Sequence, residues 1–125
     1  MPVITVMGLP HDLNGGPEFD RLELTLKSVP CRLTAFDAVQ DQVSVFFVPS
    51  LSQTNTRIVV YVDLVSTPKR TTEAQRMLAE MIADELVVFA AHRLDWIKRI
   101  LVFMRPFNPE QEVCIRRDVK VPLEG

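Results

Sequence analysis

A strand–loop–helix–strand pattern that occurs twice constrains this chain more than any other feature of its sequence. The first copy has a β-branched run at 3–8, a loop with two glycines, a helical periodicity that begins at Pro17, and a strand at 42–48. The second copy has strands at 58–65 and 98–104 around a helix at 72–91. The two kinds of element differ in hydrophobic period, about two for strands and 3.6 for helices. The sequence therefore predicts two β-α-β units.

Two β-α-β units have few ways to fold. The crossover between parallel strands is right-handed in nearly all proteins, so two units placed side by side carry their helices on one face of a common sheet. The expected fold is α+β, a four-stranded mixed sheet with two helices on one face. The other face is then uncovered and apolar, through Val43, Val45 and Phe47 or, in the other register, through Leu101 and Phe103. A bare apolar face of this size predicts a partner surface.

Local signals place the ends of several elements. Pro30 either ends the first helix or kinks it, since the apolar stripe continues to Phe36. Thr72 and Gln75 fit a capping box at the start of the second helix. The dipeptide at 105–106, which contains a proline, is expected to end the last strand.

Length favours one domain. A chain of 125 residues suits a single unit, with halves at about 2–56 and 57–107 and a polar tail at 108–125. Within the tail, 113–115 allow a short extra strand. Because a chain this short buries a smaller fraction of its surface than a long one, oligomerisation would stabilise it.

Charge and hydropathy argue against two classes of partner. The net charge is −2 and the basic clusters are small, whereas nucleic-acid binders concentrate basic residues on one face. The longest apolar run, at 86–91, is too short to span a bilayer, and the first residues lack the basic and apolar regions of a signal peptide. We expect a cytoplasmic protein with no nucleic-acid or membrane partner.

The cysteines and histidines do not form a ligand set. Cys31 and Cys114 lie far apart in sequence, and neither has metal-site spacing from His11 or His92. Two cysteines are fewer than a short secreted scaffold normally carries, which favours reduced thiols. We expect no metal and no cofactor.

The start of the chain offers a reactive group. Met1 is followed by Pro2, and removal of Met1 would expose a secondary amine at the start of the first strand. Such an amine works as a general base when its pKa lies near the working pH. An apolar site and nearby positive charge both favour the neutral amine. Pro2 would then take a proton beside a carbonyl group and return it elsewhere; the alternative is that Pro2 is simply the second residue.

Two basic residues, Lys69 and Arg70, precede the second helix. Free backbone N–H groups and the helix dipole make such a position suitable for an anion, and arginine can hold a carboxylate through two parallel hydrogen bonds. We therefore take both residues as candidate substrate contacts. The alternative is a pair of solvated surface charges.

Three residues near the strand ends complete the list of candidates. Arg105 either reaches a neighbouring subunit's site and contacts substrate, or has a structural role in a pair with Asp63 or the tail. Phe103 and Phe47 are candidates for an apolar pocket, although aromatic residues in strands usually belong to the core.

The chain resembles the tautomerase superfamily. The resemblance is carried by Pro2 and by the stretch at 69–75, Lys-Arg-Thr-Thr-Glu-Ala-Gln, which is similar to a Gly-Arg-Ser-x-Glu helix start. In length and plan it is most similar to the 5-carboxymethyl-2-hydroxymuconate isomerase group and next to the macrophage migration inhibitory factor (MIF) group. The single-unit 4-oxalocrotonate tautomerases correspond to each half. The resemblance covers roughly residues 2 to 112.

This resemblance implies a catalytic Pro2, an Arg70 that binds a substrate carboxylate, and a homotrimer. The three sheets would form a closed barrel with active sites at the subunit boundaries. The chain also departs from the family pattern. The isomerase group has an arginine near the second strand, where this chain has Gln40, Gln42 and Ser44, and the MIF group has polar residues in the last strand, where this chain is apolar.

Three functions remain open from the sequence. The first is a cofactor-independent tautomerase or isomerase acting on a small 2-oxo or 2-hydroxydienoic carboxylic acid. The second is a catalytically weak trimeric binding protein of the same fold. The third is a ferredoxin-like assembly or regulatory domain that dimerises through the bare sheet face.

Overall fold

The computed structural model describes residues 2–10, 17–52, 54–94, 96–113, 115 and 117. Its elements follow the predicted order of strand, helix, strand, strand, helix, strand. Two short 3₁₀ helices lie between the first helix and the second strand. The elements are β1 (Val3–Pro10), α1 (Pro17–Cys31), 3₁₀ helices at Thr34–Phe36 and Gln40–Gln42, β2 (Ser44–Ser50), β3 (Arg57–Val65), α2 (Thr72–Arg93) and β4 (Arg99–Phe107).

The four strands form one mixed sheet in the order β2-β1-β3-β4. Strands β1 and β2 are parallel, β3 and β4 are parallel, and the two central strands β1 and β3 are antiparallel. Each β-α-β unit therefore pairs its own two strands directly. A ferredoxin-like sheet is instead built from split units, so this alternative is wrong. The predicted α+β sheet is confirmed.

Both helices cover one face of the sheet. Their buried leucines and isoleucines join the inward-facing strand residues in a single core. On the strands this inward set alternates with outward residues, as the period of two requires. The fully buried members from β1, β3, α1 and α2 include Ile4, Val6, Ile58, Val60, Val62, Leu26, Leu78, Ile82 and Leu86.

The other face of the sheet is uncovered and partly apolar. Its central row across the strands reads Phe46, Thr5, Tyr61 and Phe103. Phe46 is 55% exposed and Phe103 is 47% exposed. We refer to this surface, which also includes the neighbouring row Val48, Met7, Val59 and Leu101, as the open face.

The register of β2 corrects one of the sequence predictions. Leu101 and Phe103 do lie on the open face, but Val43 and Val45 are buried beneath the helices, and Phe47 packs against Phe19 of α1. In a period-two strand, turning these residues inward exposes the residues between them, which are Ser44, Phe46 and Val48. Several consecutive apolar residues made the two faces of β2 look alike in the sequence.

The helix starts and strand ends differ slightly from the predicted positions. The N-cap of α2 is Thr71, whose Oγ1 accepts a hydrogen bond from Ala74 N–H, and not Thr72. Pro30 lies in the last turn of α1 and the helix ends at the next residue. Strand β4 continues through Pro106 to Phe107, because an edge strand tolerates proline better than a central one.

The predicted extra strand in the tail is not found at its described positions. Val113 and Ile115 lie outside any strand, and Cys114 is outside the described residues. The tail instead begins with a turn in which the side chain of Glu112 accepts a hydrogen bond from Asn108 N–H and the side chain of Asn108 accepts one from Glu110 N–H.

Candidate functional site

Pro2 lies at the start of the central strand β1 and is buried. Its carbonyl accepts a hydrogen bond of 3.1 Å from Ser44 N–H in β2. The next residue, Val3, pairs with Ser44 on one side and with Asp63 of β3 on the other. When both pairings are continued by one residue toward the N-terminus, Pro2 lies opposite Val43 on one side and Leu64 on the other, and both are buried. The residue that would carry the amine therefore has an apolar environment; Met1 is outside the described residues.

Arg70 reaches the same end of the sheet from the loop before α2. Its Nη1 donates to the carbonyl of Val65 at 2.7 Å, and its Nη2 donates to the carbonyl of Phe36 at 2.9 Å. The guanidinium also lies over the Phe36 ring, 5.5 Å from the ring centroid. Two arms of this side chain are thus bound to the protein itself. The sequence predicted its position before α2 but not these partners.

Lys69 is held far less firmly than its neighbour. Its Nζ lies 3.3 Å from the Asp37 carboxylate, and the two side chains are 72% and 70% exposed. An ion pair so exposed is screened by water and adds little to stability. Lys69 is therefore available to a ligand at little energetic cost.

Arg105 lies on the open face and pairs with Asp63, one of the alternatives that the sequence left open. Its Nη2 is 2.8 Å from Asp63 Oδ2, and its guanidinium lies 4.2 Å from the centroid of the Tyr61 ring. Tyr61 in turn stacks on Phe103, with ring centroids 5.5 Å apart. Because Asp63 pairs with Val3 across the sheet, this cluster lies next to the Pro2 end of β1.

The two aromatic residues predicted to line a pocket lie on opposite faces of the sheet. Phe103 is on the open face, whereas Phe47 makes an edge-to-face contact of 5.4 Å with Phe19 on the helix side. Within one subunit they therefore do not line a common pocket. Phe47 packs against the core, as aromatic residues in strands usually do, and this was the alternative that the sequence left open.

A groove on the open face was not anticipated from the sequence. It has a volume of about 300 Å³ and lies toward the far end of β1 from Pro2. In its wall, Asn55 Nδ2 donates to the carbonyls of Gly8 at 3.0 Å and Arg57 at 2.6 Å. The groove is lined by Met7, Gly8, Val48, Pro49, Ser50, Asn55, Arg57, Val59 and Tyr61.

Three polar residues, Gln40, Gln42 and Ser44, stand where the isomerase group has an arginine, and they bring no positive charge to this region. Gln40 and Gln42 are exposed in a 3₁₀ turn, and Ser44 is half-buried at the start of β2. The basic side chains described near the Pro2 end of the sheet come instead from 69–70 and from Arg105.

The described part of the chain contains no cluster of three or more histidine, cysteine or acidic residues suited to a metal ion. Cys31 donates its Sγ–H to the carbonyl of Lys27, and His92 is exposed near the end of α2; His11 is outside the described residues. Among those residues no helix is both long and apolar enough to cross a membrane.

Solved structures share this fold at low sequence identity. A member of the cis-3-chloroacrylic acid dehalogenase family matches with a TM-score of 0.69 and 13% identity, over 98% of this chain and 86% of that one. A fused 4-OT protein, described as a symmetric trimer, matches with a TM-score of 0.60 and 16% identity, over 85% of each chain. The macrophage migration inhibitory factor of Toxoplasma gondii matches with a TM-score of 0.57 and 12% identity, over 92% and 97%.

No protein-family profile and no curated protein sequence matches this chain. Identities of this size establish the fold alone. The chain has the fold of the tautomerase superfamily, and the predicted resemblance is confirmed at that level.

Proposed function

We propose that this chain is a cofactor-independent tautomerase that uses the amine of Pro2, exposed once Met1 is removed, as a general base. The substrate would be a small 2-oxo or 2-hydroxydienoic carboxylic acid. The observation that carries the proposal is the place of Pro2, which is buried at the start of the central strand in a tautomerase-superfamily fold.

The surroundings of Pro2 suit a neutral amine. Val43 and Leu64 are both at most 3% exposed, and such an apolar environment disfavours the ammonium form, which lowers the pKa of an amine. Basic side chains at the same end of the sheet act in the same direction. The neutral amine would take the proton of an enol hydroxyl, or one from the carbon beside a carbonyl, and return it at another carbon, so that the double bond moves and the substrate keeps its composition.

A carboxylate on the substrate would account for the basic residues at this end of the sheet. Lys69, Arg70 and Arg105 are the candidates for its contact. Lys69 is exposed in a weak pair, and Arg105 is held over Tyr61 on the open face. Arginine and lysine both bind carboxylates, and arginine does so with the more defined geometry.

The proposed assembly is a homotrimer in which the open faces line a closed barrel. A large apolar surface calls for a partner, and the fused 4-OT structure that shares the fold is described as a trimer. In such an assembly Phe103 and Arg105 of one subunit would approach the site of its neighbour. A single domain with halves at 2–56 and 57–107, and a cytoplasmic location, also remain part of this proposal.

The proposed activity is tested by the ketonisation rate of phenylpyruvate and of 2-hydroxymuconate. The protein is first checked by intact mass for the loss of Met1, and Pro2→Ala is compared with Pro109→Ala, a proline in the exposed turn after β4. General-base catalysis contributes about 10²- to 10⁴-fold, so Pro2→Ala should lose roughly 10²-fold or more while Pro109→Ala stays near wild type. A mass that retains Met1, or equal rates for the two variants, would contradict the proposal.

A trimeric binding protein with little turnover is the second candidate. The observations that favour it are the two bonds from Arg70 to backbone carbonyls and the apolar Leu101 and Phe103 in β4. It predicts a trimer without Met1 whose rate equals the uncatalysed rate on both acids. Binding of either acid, measured by calorimetry, would then be its positive evidence.

A further inference from the structure

We propose that Arg70 is a positioning residue for Pro2: it joins the two chain segments that flank Pro2 and does not itself bind the substrate carboxylate. This inference rests on the function proposed above and deepens it, because it assigns to Arg70 a role different from the one that the family resemblance implies.

The first arm of Arg70 holds the strand on one side of Pro2. Nη1 donates to the carbonyl of Val65, the last residue of β3, at 2.7 Å. Two residues earlier in that strand, Asp63 pairs with Val3 of β1. The end of β3 therefore runs along the side of Pro2, and the Nη1 bond fixes that end to the loop before α2.

The second arm holds the segment on the other side. Nη2 donates to the carbonyl of Phe36 at 2.9 Å, and the Phe36 ring beneath the guanidinium is only 1% exposed. From Phe36 the chain passes through the Gln40–Gln42 turn to Ser44, whose N–H donates to the carbonyl of Pro2. Arg70 thus connects the two neighbours of β1 across the end where Pro2 lies.

The backbone from which Arg70 extends is itself fixed. Arg70 N–H donates to the carbonyl of Thr67 at 3.0 Å, and the carbonyl of Arg70 accepts a hydrogen bond of 2.9 Å from Gln75 Nε2 in α2. The next residue, Thr71, caps α2. Because the backbone of Arg70 is fixed and its side chain is bonded to the carbonyls of Val65 and Phe36, this residue can keep those two segments at a constant separation.

The same two bonds oppose a direct grip on the substrate. A carboxylate is best held by two parallel N–H groups of one guanidinium. Two of the five N–H groups of Arg70, one on each terminal nitrogen, already donate to Val65 and Phe36, and these bonds fix the orientation of the guanidinium. Turning toward a ligand would leave both carbonyls without this donor. Within the part of the chain that the structure describes, the neighbouring Lys69 pairs with the exposed Asp37 alone, and this weak pair commits its side chain far less.

The test compares Arg70→Lys and Arg70→Gln with Arg76→Gln as the matched control, because Arg76 lies on α2 in an exposed pair with Glu73 at 3.9 Å. Lysine keeps the charge but cannot donate to two separate carbonyls from two nitrogens, and glutamine loses the charge as well. Each variant is assayed on phenylpyruvate and on its uncharged methyl ester. Amide hydrogen exchange at Ser44, followed by NMR, reports the Ser44 N–H bond to Pro2 without requiring any activity.

If Arg70 positions Pro2, its variants should change kcat and Ser44 amide exchange but not KM. Both Arg70 variants should lower kcat on acid and ester alike, by roughly 10- to 100-fold, the size of effect expected from a small misplacement of a catalytic group, with KM nearly unchanged. Exchange at Ser44 should rise about tenfold or more through local opening. Arg76→Gln should leave Ser44 exchange and the rates on acid and ester at wild-type values.

Two results would overturn the inference. A loss confined to the acid and seen in KM would mean that Arg70 binds the carboxylate, and unchanged Ser44 exchange in both variants would mean that it does not hold the Pro2 segments. If the wild-type protein shows no turnover, the proposed function fails, while Ser44 exchange still decides whether Arg70 holds these segments.

Discussion

Phe46 lies on the edge strand β2, at one end of the central row of the open face that also contains Tyr61 and Phe103. Its side chain is 55% exposed in the isolated subunit. If this face is buried in a trimer, about half of a phenylalanine surface of roughly 200 Å² is removed from water, which stabilises the assembly by about 3 kcal/mol per subunit. Phe46→Ser would remove most of this contribution from each of three subunits.

The size of the expected effect follows from these values. Three subunits together would lose about 8 kcal/mol, and even half of that should raise the concentration for half-assembly by roughly 30-fold or more. The matched control is Leu24→Ser on α1, because Leu24 is 56% exposed but lies on a helix, away from the open face. Both substitutions remove a half-exposed apolar side chain and so change the stability of the folded subunit in a similar way. Only Phe46→Ser should also weaken the assembly of subunits.

Sedimentation equilibrium over a range of concentrations measures the prediction directly. Wild type and Leu24→Ser should sediment as three chains of 14.2 kDa, about 43 kDa, at concentrations where Phe46→Ser has dissociated. The reasoning is refuted if Phe46→Ser and Leu24→Ser assemble equally well, or if the wild-type protein is a monomer or a dimer.

Two further predictions concern the stability of the scaffold. Gly8→Ala should destabilise the fold by roughly 1 to 3 kcal/mol in urea unfolding, because Gly8 has φ of +103° and a Cβ there would lie 2.5 Å from the carbonyl oxygen of Arg57; a wild-type midpoint would contradict it. Thr71→Ala should lose about 1 kcal/mol through the missing cap bond to Ala74, whereas Thr72→Ala, one residue later, should not, and equal midpoints for the two variants would show that the cap is misassigned.

The sequence predicted the fold well where the local signal was strong. The apolar, β-branched run of β3 and the long apolar stripe of α2 are such signals, and both elements were placed within about two residues. Strand β2 was placed correctly but its faces were not, because Val43, Val45, Phe46, Phe47 and Val48 offer an apolar residue to either side. Only packing against Phe19 and its helix selects which of these residues are buried.

The candidate site could be predicted in part. Pro2 and Arg70 became candidates through their positions in the sequence, and the observed pair of Arg105 with Asp63 is one of the alternatives that the sequence left open. The partners of Arg70 could not be found in this way, since they are backbone carbonyls, which carry no residue-specific signal. Phe36 lies 34 residues before Arg70, and nothing in the local pattern of either residue indicates that they meet.

The bonds of Arg70 also connect the two β-α-β units at the point where the proposed chemistry takes place. Pro2, Phe36 and Ser44 belong to the first unit, whereas Val65 and Arg70 belong to the second. In the proposed function the first unit would supply the amine, whereas Arg70 of the second unit is bonded to both of the segments beside it. A site built in this way forms only when the two units have packed together, so the position of Pro2 depends on the tertiary fold and not on the first unit alone.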